Sequence, residues 1–156
     1  MYQETIATFE CKVMKKSFLL VGESITATFP DGFPEAAIQV AERFNPRRIE
    51  VKYAKDKEVV LCPYMCNDIM ATYFACLEVD QLEQIPQGML GFKIPETEYA
   101  VISCSNKTIG EGYDKLFQWM VEMDYQQKWL RKSFPIEIYY YEEGVDEERV
   151  ELLIPI

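Results

Sequence analysis

One carboxylate, Glu137, lies inside the run Pro135-Ile136-Glu137-Ile138-Tyr139-Tyr140-Tyr141. A desolvated carboxylate costs several kcal/mol unless it is paired. If Glu137 faces a cavity, it is the natural counter-charge for an organic cation, and aromatic faces around it would each add roughly 0.5 to 2 kcal/mol through cation–π attraction. Strand alternation separates Glu137, Tyr139 and Tyr141 from Ile136, Ile138 and Tyr140. The isoleucine face is expected to pack under helices, leaving the glutamate face toward a groove. The competing reading is the ordinary wet face of an antiparallel sheet.

Glu151 lies on the strand that returns after an acidic turn around Gly144, and a turn centred there brings it close to Tyr139. A register slip of one residue would reverse its face. Two carboxylates so placed would admit acid/base chemistry, against the bland reading of a surface glutamate pair. Tyr73 and Tyr99 fall on expected strands, as stacking surfaces for a ligand or as sheet-packing tyrosines. Trp119 and Trp129 are groove walls or core, and Trp119 keeps helical spacing with Tyr113, Leu116 and Phe117, which favours packing on a helix flank.

Other motifs carry less. Cys62-x-x-x-Cys66 lacks the histidines or second tight cysteine pair that a closed zinc site needs, so no metal is expected. Arg47, Arg48, Lys52, Lys55 and Lys57 read as a solvated basic face, and Gly88 and Gly91 do not make a phosphate loop. The absence of histidine removes Ser-His-Asp and Cys-His catalysis, histidine metal ligands and histidine-ligated haem. No cofactor is expected.

A net charge of −10, from 26 acidic and 16 basic residues, argues against direct nucleic-acid binding and fits cationic ligands or a basic protein partner. Five cysteines without an export signal indicate free thiols in a cytoplasmic protein, and no apolar run is long enough to span a membrane. At 156 residues and 49% hydrophobic content the chain fits one domain, 1–156, with a sizeable core.

The elements that must position these residues follow from periodicity. Phe9 to Val13 alternates as a strand, and Phe18 to Val21 with Ile25 to Phe29 forms a second, bent near Gly22. After Pro30-Asp31-Gly32, a helix from about Phe33 to Phe44 ends at Asn45-Pro46. Ile49 to Tyr53 and Met70 to Val79 read as strands, with the segment around Cys62 to Cys66 unassigned. The second half restates the order: Gly88 to Ile94 extended, Tyr99 to Cys104 a strand, Ile109 to Met123 a helix, a short helical turn over 126–132, then a closing hairpin. The expected fold is α+β: two strand-helix-strand-strand modules, about 1–80 and 86–156, forming an antiparallel sheet with both helices on one side and a ligand groove between the modules.

Glu98-Tyr99-Ala100-Val101-Ile102, the Trp119 helix, Ile136-Glu137-Ile138-Tyr139 and the ending Val150-Glu151-Leu152-Leu153-Ile154-Pro155-Ile156 together resemble the gyrase-inhibitor-like (GyrI-like) small-molecule-binding domains. The last two match an F-E-x-Y segment followed by E-x-x-I-P, with Ile136 replacing the usual aromatic. The resemblance implies paired modules around a groove that, in multidrug-responsive transcription regulators, takes bulky lipophilic cations. It places Glu137 as the recognising carboxylate and Tyr139 as an aromatic beside it. With no room in 156 residues for a helix-turn-helix domain, it implies a stand-alone binder. Some relatives hydrolyse strained electrophilic toxins with acidic and tyrosine side chains, which makes Glu137 and Tyr139 the candidate pair for a hydrolase. Others inhibit DNA gyrase by direct contact, the protein-partner alternative.

Overall fold

Two long strands frame the molecule. The computed structural model describes residues 9–128 and 133–156. Strand β1 spans Cys11–Thr28 and strand β4 spans Leu90–Ser105, and they pair antiparallel from Cys11↔Ile102 to Gly22↔Leu90. Sequence alternation divides each into two pieces because polar residues interrupt it at Lys15-Lys16-Ser17 and Glu96-Thr97-Glu98. Those interruptions lie opposite one another, and the register shifts there between Lys16 and Phe18, so both strands continue through one shared irregularity.

Between them run helix α1 (Glu35–Phe44), strands β2 (Val59–Cys66) and β3 (Met70–Glu78), and after β4 come helix α2 (Ile109–Glu122) and strands β5 (Ile136–Tyr140) and β6 (Arg149–Pro155). The two halves therefore repeat the order strand, helix, strand, strand. All pairings are antiparallel, and the sheet closes as β1-β3-β2-β5-β6-β4. The halves meet twice, through β1 with β4 and through β2 with β5.

Several local expectations are corrected. Ile49 to Tyr53 is not a strand: Asn45–Glu50 forms a 3-10 segment after α1, with Pro46 in its first turn where a missing N–H is harmless. The unassigned Cys62 to Cys66 segment belongs to β2. Pro63 argues against a central strand, yet β2 lies between β3 and β5. The helical turn over 126–132 is absent from Gln126 to Lys128, and the rest of it, with Trp129, lies outside the described residues.

Closure of the sheet gives it an inner face. Phe18, Leu20, Leu61, Phe74, Cys76, Ile94, Tyr99, Val101, Ile136, Ile138 and Leu153 form one buried cluster with members from every strand and none from a helix. The helices pack on the outer face: Val40 and Phe44 of α1 join Val60, Ala75 and Leu77, and Leu116 and Met120 of α2 join Ile102, Leu152 and Ile154. Buried residues recur every fourth position, Ala36, Val40 and Phe44 in α1 and Gly112, Leu116 and Met120 in α2, the spacing of one helical face. Gly112 lets α2 approach closely, since a Cβ there would meet Cys104 Sγ and Leu152 Cδ1 at 3.0 Å.

The expected arrangement of β5 is thereby reversed. Ile136 and Ile138 face the inside of the barrel rather than the helices. Glu137 and Tyr139 are the residues that lie on the helix side.

Candidate functional site between the helices

A cavity of about 460 Å3 opens on the outer face between the two halves. One wall is the approach to α1, where Phe29, Phe33, Pro34 and Ala37 contribute, with the Phe29 and Phe33 rings edge to face at 5.9 Å. Ile109 and Tyr113 of α2 form the opposite wall, and Tyr64, Cys66, Ala71, Tyr73, Glu137 and Tyr139 form the floor. Its size is that of a small-molecule site, and its lining is largely aromatic and aliphatic.

Register brings the floor together. Cys62 pairs with Glu137 and Val60 with Tyr139 across β2 and β5, while Tyr64 pairs with Tyr73 across β2 and β3. The Tyr64 and Tyr73 rings consequently stack at 6.3 Å, and Phe33 meets Tyr73 edge to face at 6.4 Å. Tyr113 reaches in from the first half of α2 and stacks on Phe117 at 6.1 Å.

The hydrogen bonds converge on Glu137. Tyr73 Oη and Tyr139 Oη donate to Oε1 at 2.7 and 2.9 Å, and Tyr113 Oη donates to Oε2 at 2.6 Å. The proton of Tyr113 is thus committed, so the 2.8 Å contact between Tyr64 and Tyr113 has Tyr64 as donor. Glu137 is the acceptor in all three contacts. No Lys or Arg among the described residues makes an ion pair with it.

Burial, and secondarily the negative charge of Glu137, pushes Tyr64 and Tyr139 well above the ordinary phenol range. Tyr73 and Tyr113 are raised likewise by burial first. The same two causes raise Cys62, and they take Cys104 to about 11. Cys66, on the cavity floor, is raised by burial and by Asp68. Phenols and thiols that keep their protons at neutral pH therefore surround the Glu137 carboxylate.

The structure brings Glu137, Tyr139 and Tyr73 to one cavity and leaves the other three sequence candidates outside it. Tyr99 faces the barrel interior, fully buried, with its ring edge to face with Phe18 and its hydroxyl 3.0 Å from Ser133 Oγ. Trp119 lies six residues beyond Tyr113, about 120° round the helix, and packs on Tyr125 at 5.5 Å. Glu151 pairs with Ile138, not Tyr139, which puts it on the inner face. There it accepts hydrogen bonds from Tyr140 Oη and from Arg149 Nη2 at 2.8 Å. It does not form a carboxylate pair with Glu137.

Two contributors escaped sequence reading. Tyr64 was hidden with β2 by Pro63. Tyr113 falls one residue after Gly112 on the buried stripe Gly112-Leu116-Met120. An aromatic at the edge of a helix's packed face, able to reach past its flank, was the available signal.

Comparison with known proteins agrees with the resemblance read from the sequence. The transcriptional regulator BrlR of Pseudomonas aeruginosa PAO1 is 26% identical over 153 residues, which cover 92% of this chain and 54% of BrlR. The chain thus spans about half the length of that relative. The structure of SAV2435 bound to tetraphenylphosphonium superposes with a TM-score of 0.66 at 12% identity, covering 94% of this chain and 93% of that one. The integron cassette protein Cass2 from the mobile metagenome of Vibrio cholerae superposes with a TM-score of 0.63 at 15% identity, covering 93% and 94%. At these identities the two structures establish the fold, an antiparallel α+β architecture shared over nearly the whole length. Residues 13–156 match the family described as Cass2, integron-associated effector binding protein, and the chain belongs to that family.

Proposed function

We infer that this protein binds bulky, hydrophobic organic cations in the cavity between α1 and α2, with Glu137 as counter-charge and Tyr64, Tyr73, Tyr113 and Tyr139 as its collar. The observation that carries this reading is a carboxylate held by phenols, with no basic partner among the described residues, on the floor of an apolar cavity of about 460 Å3. Three hydrogen bonds stabilise the anion in place of water. They do not cancel its charge, so the potential in the cavity remains negative and selects cations. The tetraphenylphosphonium held by the structural neighbour SAV2435 is a ligand of this class.

Hydrolysis of electrophiles fits less well. Burial raises all four collar phenols, so none is poised to act as phenolate nucleophile or base at neutral pH.

Titration with tetraphenylphosphonium and with a neutral tetraphenyl analogue tests the reading. Wild type is expected to prefer the cation, and Glu137→Gln to weaken the cation by roughly a hundredfold, since a charge pair at about 4 Å in a partly desolvated site is worth a few kcal/mol. The neutral analogue should change little. Equal loss for both compounds would remove the charge argument, and turnover of an electrophilic substrate abolished by Glu137→Gln would move the assignment to a hydrolase.

A further inference from the structure

The proton inventory of the collar narrows the class of cation. A carboxylate offers about four lone-pair directions. Tyr73 and Tyr139 fill two at Oε1, and Tyr113 fills one at Oε2. Tyr64 donates to Tyr113 and closes the chain of donors. A single lone-pair direction on the carboxylate is left for a ligand.

That arithmetic treats two kinds of cation differently. A protonated primary amine carries three N–H donors and a tightly held hydration shell. On entering an apolar cavity it exchanges that shell for one carboxylate lone pair and the flanks of phenol oxygens, and a charged donor left short of partners costs more than an ordinary unmade hydrogen bond. A quaternary ammonium, a tetra-arylphosphonium or a fully alkylated dye has no N–H to satisfy, is weakly hydrated, and needs only the field and the aromatic faces. We propose that the tyrosine collar makes this a site for cations without N–H groups, and that Tyr113 and Tyr73 are specificity-determining residues because each occupies a carboxylate lone pair that an ammonium would otherwise use.

The proposal rests on the cation-binding reading above, and the test separates the two. Tetraphenylphosphonium, a biphenylmethyl ammonium ion and its N,N,N-trimethyl derivative are titrated against wild type, Tyr113→Phe and Tyr73→Phe by calorimetry at neutral pH. Wild type is expected to bind the trimethyl compound about tenfold or more tighter than the primary ammonium, the size of one to two unmade charged hydrogen bonds. Each Tyr→Phe variant keeps its ring and frees one lone pair on Glu137, so the ratio should shrink at least about threefold, mainly through tighter binding of the primary ammonium. Should Tyr113→Phe fail to fold, Tyr73→Phe carries the same comparison on the other carboxylate oxygen. Tetraphenylphosphonium binding with equal wild-type affinity for the two ammonium ions, or ratios unchanged in the variants, overturns the proposal alone. No binding of tetraphenylphosphonium overturns it together with the reading beneath it.

Discussion

Four glutamates on the sheet are wholly or partly withdrawn from water, and they are treated in two ways; Glu78 on β3, one of them, is paired with Lys16 Nζ at 2.9 Å. Glu23 on β1, 7% exposed, accepts from Arg43 Nε at 2.6 Å and Arg47 Nη1 at 3.2 Å. Glu151 on β6, 6% exposed, is paired with Arg149 Nη2 at 2.8 Å. Each of these charges is cancelled within the molecule. Glu137 is held by three phenols and, among the described residues, by no cation. A structural carboxylate and the one proposed to bind cations thus differ in their partners: guanidinium neutralises, whereas hydroxyl donors stabilise the anion and leave its field intact. Of the basic residues expected to form a solvated face, Lys52, Lys55 and Lys57 are exposed, while Arg47 serves the first purpose on Glu23 and also pairs with Glu50 at 2.9 Å, and Arg48 lies 5.2 Å over the Tyr141 ring.

At alkaline pH the phenol-held site should draw on the stability of the fold, whereas the arginine clamp on Glu23 should not. The collar tyrosines are raised in the folded state, so above the ordinary phenol pKa near 10 the unfolded chain loses protons that the folded chain keeps. The collar therefore leaves stability unchanged below about pH 10 and lowers it as pH rises beyond, by somewhat over 1 kcal/mol per pH unit for each buried phenol until it ionises in the fold. This comes on top of a loss that the raised thiols of Cys62 and Cys104 begin near the ordinary thiol range of about 9. Urea unfolding between neutral pH and pH 11 should show a steep loss that Tyr64→Phe and Tyr113→Phe flatten. An unchanged slope in the double variant would mean that the collar is not buried as described.

The arginine clamp on Glu23 should respond to loss of its guanidinium groups. Arg43→Ala with Arg47→Ala leaves Glu23 buried without a partner and should cost about 3 kcal/mol in urea unfolding, the lower end for stranding a buried charge because both arginines are partly exposed. Cation affinity should stay at the wild-type value. Glu137→Gln is the mirror image: affinity is lost, no charge is stranded, and the stability cost is limited to about 1 kcal/mol for the phenol donor that meets an amide NH2 in place of an oxygen. A double arginine variant that lost cation binding at full stability would tie the two sites together and defeat the distinction.

Much of this organisation was legible in the sequence, and the failures have physical causes. Helix α2 and the closing hairpin follow from periodicity and from the Gly144 turn, where φ is 85°. What alternation cannot give is which face of a strand is interior when the sheet closes, because both faces of β5 are covered: Ile136 and Ile138 by the opposite strands, Glu137 and Tyr139 by the helices' cavity. The same ambiguity placed Glu151 beside Tyr139 when its partner is Ile138. Tyr73 and Tyr99 look alike in sequence, each an aromatic on a strand. Their fates diverge because Tyr73 lies outside the barrel and Tyr99 inside it.

That last pair supplies the smallest and most discriminating test. Tyr99 Oη and Ser133 Oγ satisfy each other inside the protein at 3.0 Å, and burial raises the Tyr99 phenol. Tyr99→Phe keeps the ring against Phe18 and should cost about 1 kcal/mol, one buried hydrogen bond with a serine hydroxyl left short of its partner. The affinity for tetraphenylphosphonium should not move, because the sheet stands between Tyr99 and the cavity. Tyr73→Phe inverts the pattern: it removes a donor from Glu137 and changes ligand discrimination, with a stability change no larger than that of Tyr99→Phe. If Tyr99→Phe altered cation affinity as much as Tyr73→Phe does, the inner and outer faces of the barrel would not be energetically separate, and the assignment of Glu137's face as the binding face would lose its basis.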